Sequence, residues 1–230
     1  MSNSDNYWKN YKKEFNSKWH FDPFTTETDY QYIGNLKTDY RQIDKLVKNL
    51  DINSKPEHAV EDNPSISSKK VLEKIKSYTS WGYKKENTLF YRAFSSDYKN
   101  IFKKFINFSG LKFATSSIIK QPPGNTIPWH YDTHIDFYSR IKKKKLNIKK
   151  KEIIRYMLFL EDWDWGHFFC VGSSPIPKWK KRDLITWDPS VHHTGSNGGM
   201  KPKVTMNITG VITKKSLHFE TKKNNFLYKF

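Results

Sequence analysis

Pro123-Gly124-Asn125-Thr126-Ile127-Pro128-Trp129-His130-Tyr131-Asp132 is the stretch whose reading decides the fold. It opens on a turn signal and runs through a short apolar segment of strand character. In a β-strand, residues two apart point to the same face. His130 and Asp132 are therefore expected to aim an imidazole and a carboxylate into one cavity, with Tyr131 turned away. They are two members of a 2-His-1-carboxylate set, which holds iron(II) on one face and leaves the others open. Such a set needs a β framework that returns a second histidine to the same point.

The sequence downstream has the pattern of that framework. Short β-like runs occupy 111–120, 126–132, 152–160, 167–171, 183–187, 190–194 and 203–213, with turn residues between them. This spacing predicts an all-β sandwich or barrel. Upstream the pattern is different. Tyr40, Ile43, Leu46, Val47 and Leu50 recur at helical spacing over 37–50, and Val71, Leu72, Ile75 and Tyr78 do so over 68–80. Residues 87–94 alternate as a strand. Ser95-Ser96-Asp97 then reads as an N-cap for a helix carrying Ile101, Phe102, Phe105 and Ile106, which stops near Ser109-Gly110. The chain is expected to form one structural domain, with 1–110 as an N-terminal helical support region and 111–230 as the β core. Residues up to about 36 read as an aromatic, polar arm wrapped around it. The lysine-rich interruption 139–151 reads as a solvated helix or loop; the competing reading is a basic lip over the cavity that handles an acidic substrate.

Of the 230 residues, 36% are hydrophobic and 16% aromatic, so the core is expected to rest on Phe, Tyr and Trp. No apolar run approaches the ~20 residues needed to span a bilayer, which argues against a membrane partner. Cys170 is the only cysteine, which excludes an intrachain disulfide and points to a reducing, cytoplasmic setting. The net charge of +18 would attract polyanions. Yet the only arginines are Arg41, Arg92, Arg140, Arg155 and Arg182, few for reading bases directly. A lysine excess with abundant Asn, Ile, Tyr and Phe is equally what AT-rich coding produces, so a nucleic-acid partner is not favoured.

The second histidine lies in Asp183-Leu-Ile-Thr-Trp187-Asp-Pro-Ser-Val-His192-His193-Thr-Gly-Ser-Asn197-Gly198. His192 and His193 point to opposite sides if the segment is extended, so only one of them can ligate. The first pair also has a competitor, His134-Ile135-Asp136, in the same alternating phase; the turn at Gly124 favours His130 and Asp132. His167 reads as structural, and His20, His58 and His218 as surface residues.

Together these features resemble the Fe(II)/2-oxoglutarate-dependent dioxygenase superfamily. An HxD pair on an early strand, a D-L-I-x-W strand leading to a histidine, and a basic residue about ten positions later with a hydroxyl residue at +2 all recur there. In this chain the last two are Lys203 and Thr205. Lysine at that position resembles the prolyl-hydroxylase-like branch. His193-Thr-Gly-Ser-Asn197 resembles the H-x-x-x-N stretch of aspartyl/asparaginyl-hydroxylase-like and phage-encoded members. The resemblance covers about 111–213. It implies a double-stranded β-helix (jelly-roll, cupin-like) core, with His130, Asp132 and His193 as iron ligands and Lys203 with Thr205 on the distal carboxylate of 2-oxoglutarate. It also implies that dioxygen and 2-oxoglutarate are consumed to hydroxylate a C–H bond, in a protein side chain or a small metabolite. Arg155, a charge in the apolar run 152–160, could support 2-oxoglutarate or a substrate carboxylate, or lie at the open end of its strand. Asn125 and Tyr131 are candidate cosubstrate contacts. The alternatives are a nucleic-acid-directed oxygenase and a non-catalytic cupin-like binding protein.

Overall fold

A computed structural model describes residues 29–217, apart from 54, 59–71, 74–75, 77–78, 81–82, 133, 145 and 150–151. The elements run β1 (Gln31–Asn35), α1 (Arg41–Asn53), β2 (Glu57–His58), β3 (Leu89–Phe94), α2 (Lys99–Phe108), β4 (Lys112–Gln121), β5 (Asn125–His130), α3 (Ile135–Lys143), β6 (Ile153–Phe159), β7 (His167–Val171), β8 (Ser174–Pro175), β9 (Asp183–Trp187), β10 (His193–Asn197) and β11 (Lys203–Val211). The strands form a seven-stranded sheet, β1-β9-β6-β11-β4-β3-β2, and a four-stranded sheet, β5-β10-β7-β8. Every pairing is antiparallel.

Side-chain alternation along β6 and β11 explains the layering. Ile154, Tyr156 and Leu158, with Val204, Met206 and Ile208, join Tyr40, Ile43, Val47 and Leu50 of the α1 segment and Phe102 and Phe105 of α2 in one buried cluster. The opposite parity, Met157 and Phe159, packs with Ile185 and Trp187 against Phe169 and Val171 of the smaller sheet. Both faces of the large sheet are thus covered, which is why β6 reads as an almost unbroken apolar run. On β11 the parity facing the smaller sheet is polar: Lys203, Thr205, Asn207 and Thr209. A buried row of that kind is costly unless it serves a ligand or finds partners.

Several boundaries differ from the sequence expectation. β1 and β2, neither expected as a strand, join β3, expected over 87–94, in extending the large sheet before residue 111, so the support region supplies strands as well as helices. Helix α1 starts at Arg41, whose backbone N–H donates to the Asp39 carboxylate at 3.0 Å. Helix α2 starts at Lys99 with Tyr98 at the N-cap and no side-chain cap. Ser95, expected to cap it, instead ties the chain to β4: its N–H donates to the Ser116 carbonyl at 2.8 Å, and its hydroxyl accepts the Ser116 N–H at 3.0 Å. The strand expected over 126–132 ends at His130. Within the lysine-rich interruption, α3 packs Phe137 and Ile141 against Ile153 and Val211, while Lys142, Lys143 and Lys144 are exposed. The helix expected over 68–80 and the arm before residue 29 fall largely or wholly outside the described residues. No helix among those residues is long and apolar enough to cross a membrane.

Candidate metal centre and active site

His130 closes β5 and His193 opens β10, and the two are paired across the antiparallel ladder. Their rings stand 4.3 Å apart, centroid to centroid. Asp132 lies just beyond the end of β5, so strand phase alone does not aim it. Its backbone N–H donates to the Pro189 carbonyl at 3.1 Å, folding the segment back towards the turn before His193. That turn is held by Asp188, whose Oδ1 accepts the Ser190 N–H at 2.8 Å. The outcome is one cluster: a ligand atom from each of His130, Asp132 and His193 lies within 4.8 Å of the others.

The donor set suits a divalent metal ion. His130 Nδ1 lies 2.8 Å from the Pro128 carbonyl, and His193 Nδ1 lies 3.1 Å from the Val191 carbonyl. A carbonyl only accepts, so both Nδ1 atoms carry the proton and each Nε2 keeps the lone pair a metal needs. Burial, and then the neighbouring His130, pushes the His193 imidazole down to about 3, so it is neutral near pH 7. Burial alone would raise the Asp132 carboxyl; Arg155 foremost, then the surrounding histidines, holds it below the usual carboxylate range. Arg155 Nη1 donates to Asp132 Oδ1 at 2.5 Å, and its Nε donates to the Thr209 hydroxyl at 3.2 Å. Asp132 Oδ2 is buried with no hydrogen-bond partner among the described residues, 3.9 Å from His193 Nε2. A buried carboxylate oxygen without a donor is expensive; a cation between it and the two imidazoles would satisfy it.

Arg155 therefore does not stand at an open strand end. It occupies one oxygen of Asp132 and leaves the other open to a metal ion. Metal-ligand supports of this kind typically contribute 10–100-fold in affinity. Arg155→Gln is expected to weaken Mn(II) binding by about that factor, measured by titration calorimetry.

The cavity beyond the cluster lies between the sheets. Its polar lining includes Gln121, Asn207, Lys203 and Thr205, and its apolar walls include Ile127, Met157, Phe169 and Trp187. Lys203 is only 5% exposed. Its ammonium donates to the Phe168 carbonyl at 3.0 Å, and no carboxylate is paired with it among the described residues. Burial pushes it down to about 7. Thr205 lies on the same face of β11.

The remaining candidates fall elsewhere. Asn125 is a structural bridge: its Oδ1 accepts the Leu89 N–H at 2.9 Å and its Nδ2 donates to the Pro123 carbonyl at 3.1 Å. Tyr131 packs on His192, ring centroids 5.4 Å apart, outside the metal cluster. Asn197 Nδ2 donates to the Gln121 and Lys201 carbonyls, both at 2.9 Å, which closes the turn after β10. His134 and Asp136 do not form a second pair in strand phase, because helix α3 begins at Ile135. His134 sits at φ 47° with both ring nitrogens shielded and without partners among the described residues. His167 is structural, with Nε2 2.9 Å from the Lys201 carbonyl. Trp187, whose ring centroid is 4.8 Å from that of His193, walls the centre.

No protein-family model and no curated protein matches the sequence. Among solved structures, the non-heme alpha-ketoglutarate-dependent epimerase SnoN from nogalamycin biosynthesis is similar with a TM-score of 0.51 at 5% identity, over 89% of this chain and 82% of that one. The fold is a double-stranded β-helix. Two further similar structures align less closely. A predicted oxalate decarboxylase from Thermotoga maritima gives a TM-score of 0.32 at 12% identity, over 54% of this chain and 82% of that one. The cupin domain of Schizosaccharomyces pombe Cnp3 gives 0.30 at 13% identity, over 51% and 65%.

Proposed function

We propose that the protein is an iron(II)- and 2-oxoglutarate-dependent oxygenase that hydroxylates a C–H bond. The observation that carries this reading is Lys203: a buried cation with no carboxylate beside it among the described residues, in the same cavity as a 2-His-1-carboxylate cluster. A buried ammonium is costly until an anion joins it. A dicarboxylate that chelates the metal at one end and meets Lys203 at the other satisfies both groups. The structural likeness to an alpha-ketoglutarate-dependent protein agrees with this at the level of the fold.

Each side chain has a defined task. His130, Asp132 and His193 would hold iron(II), whose chemistry when bound is the activation of dioxygen coupled to conversion of 2-oxoglutarate to succinate. Arg155 fixes the Asp132 carboxylate. Lys203 gives a charge-assisted hydrogen bond to the far carboxylate, and Thr205 adds a neutral one from the same strand face. Ile127, Met157, Phe169 and Trp187 keep water out, which strengthens these electrostatic contacts.

The experiment is anaerobic addition of 2-oxoglutarate to the Fe(II) protein. A weak visible charge-transfer band and, in air, succinate formation are expected; absence of both rules the reading out.

A pH dependence follows from Lys203. An anion binds its protonated form, and the pKa without ligand is about 7. An anionic partner raises that value in the complex. Affinity for 2-oxoglutarate is therefore expected to be level below pH 7. It should fall as the pH rises through 7 until the higher pKa of the complex is passed, with proton uptake on binding in that window. Calorimetry in buffers of different ionisation enthalpy measures both effects, and a profile flat from about pH 6 to 9 contradicts the assignment.

A further inference from the structure

A glycine inside a strand contributes no side chain to packing, and it often marks a place where another group approaches closely. Gly195 lies in the middle of β10, paired with Ile127 on one side and Phe169 on the other. A Cβ there would stand 2.6 Å from Lys203 Nζ and 3.1 Å from Phe169 Cδ2. Lys203 comes from the opposite sheet, crosses the cavity and ends against the backbone of β7 and β10. Its ammonium rests in the space that any other residue at 195 would fill.

Neither wall of that space can retreat easily. The Gly195 carbonyl accepts a hydrogen bond from Gln121 Nε2 at 2.9 Å, and the same nitrogen donates to the Asn125 carbonyl at 2.8 Å. Gln121 stands opposite Lys203 on β4, so one side chain braces the glycine from beside the lysine. Phe169 is buried between Trp187 and Phe159, with ring centroids 5.6 Å and 6.2 Å away. The freely moving party is the end of the lysine.

We propose that Gly195 is a positioning residue for the cosubstrate: its missing side chain is the niche that lets Lys203 set its ammonium against the far carboxylate of the 2-oxo acid. This rests on the 2-oxoglutarate reading above. A methyl group at 195 has to move Nζ by about 1 Å to reach ordinary contact distance, a displacement that can cost on the order of a hundredfold where geometry is tight. The three atoms nearest that Cβ belong to Lys203 and Phe169 and none to a metal ligand, so the larger effect is expected on the dicarboxylate.

The test is anaerobic titration of 2-oxoglutarate into the Mn(II)-loaded wild type, Gly195→Ala, Lys203→Met and the double variant, with Mn(II) affinity and melting temperature measured alongside. Gly195→Ala is expected to raise the 2-oxoglutarate Kd by about 10–100-fold while leaving Mn(II) affinity within about twofold. The double variant is expected to bind no more weakly than Lys203→Met alone, because the glycine acts only through that lysine. A purely structural role for Gly195 would add to the Lys203 effect instead. Wild-type affinity in Gly195→Ala, an additive double variant, or loss of metal binding or folding in Gly195→Ala each overturns the proposal. A wild type that binds Mn(II) but not 2-oxoglutarate overturns the cosubstrate reading itself, and is told apart by failing before any variant is compared.

Discussion

Asp132→Ala and His193→Ala are each expected to lower metal affinity more than a hundredfold. Structural zinc sites bind with about 10–16 kcal/mol through four ligands; on that scale one ligand stands for roughly 3 kcal/mol, and 1.4 kcal/mol is tenfold. Asp132 should be the more damaging loss. It removes the only anion of the cluster and leaves Arg155, its ion-pair partner, beside the two imidazoles. The folded protein should survive both changes. His193 is buried as a neutral ring, and its hydrogen bond to the Val191 carbonyl is local. Equilibrium dialysis with Mn(II), checked by circular dichroism, separates loss of the site from loss of the fold. Metal retained at wild-type affinity in either variant would mean that the ion is held elsewhere.

Lys203→Met is expected to weaken 2-oxoglutarate binding by about a hundredfold, still within reach of titration, and, in the same protein, to raise the melting temperature. The two effects have one cause. Methionine nearly matches the aliphatic stem and removes the charge. In the wild type, burial has pushed the ammonium from its ordinary 10.5 down to about 7, so the folded state is penalised for protonating it. The sign follows from that depression. Below pH 7 the whole penalty is present, and it fades as the pH rises from 7 towards 10.5. The gain from methionine is therefore largest at or below neutrality and vanishes in alkali. Replacing buried charge by apolar volume commonly stabilises by about 1–2 kcal/mol, or about 2–8 °C for a chain of this size. A fall in melting temperature on this substitution would show that the lysine is held for packing rather than for an anion. Site groups that cost stability are a common trade for function.

Much of this was legible in the sequence because it rests on local pattern. The apolar run at 152–160, the runs at 167–171, 183–187 and 203–213, and the His193 to Lys203 spacing are one-dimensional signals. What failed were features that depend on partners distant in sequence. Asp132 reaches the cluster through a bond to Pro189, and no strand rule gives that. Ser95 looked like a helix cap until Ser116 claimed it. Asn125 looked like a cosubstrate contact, but its amide is spent on Leu89 and Pro123. Arg155 reads in the sequence as a costly charge in an apolar run, and only the tertiary structure shows Asp132 opposite it. Gly195 carried a usable signal, a glycine inside a strand pattern, yet the group it makes room for comes from another sheet. The edge strands β1 and β2 were hidden for the same reason, because edge strands take their identity from the neighbour they pair with, whereas β3 is visible in the alternation over 87–94.

The most direct test is a crystal structure of the protein with Mn(II) and 2-oxoglutarate, grown without oxygen. One ion bonded by His130 Nε2, Asp132 Oδ2 and His193 Nε2 is predicted, chelated by the 2-oxo acid, with the far carboxylate on Lys203 and Thr205. An ion that any of those three residues fails to touch, or a dicarboxylate turned away from Lys203, would contradict the account.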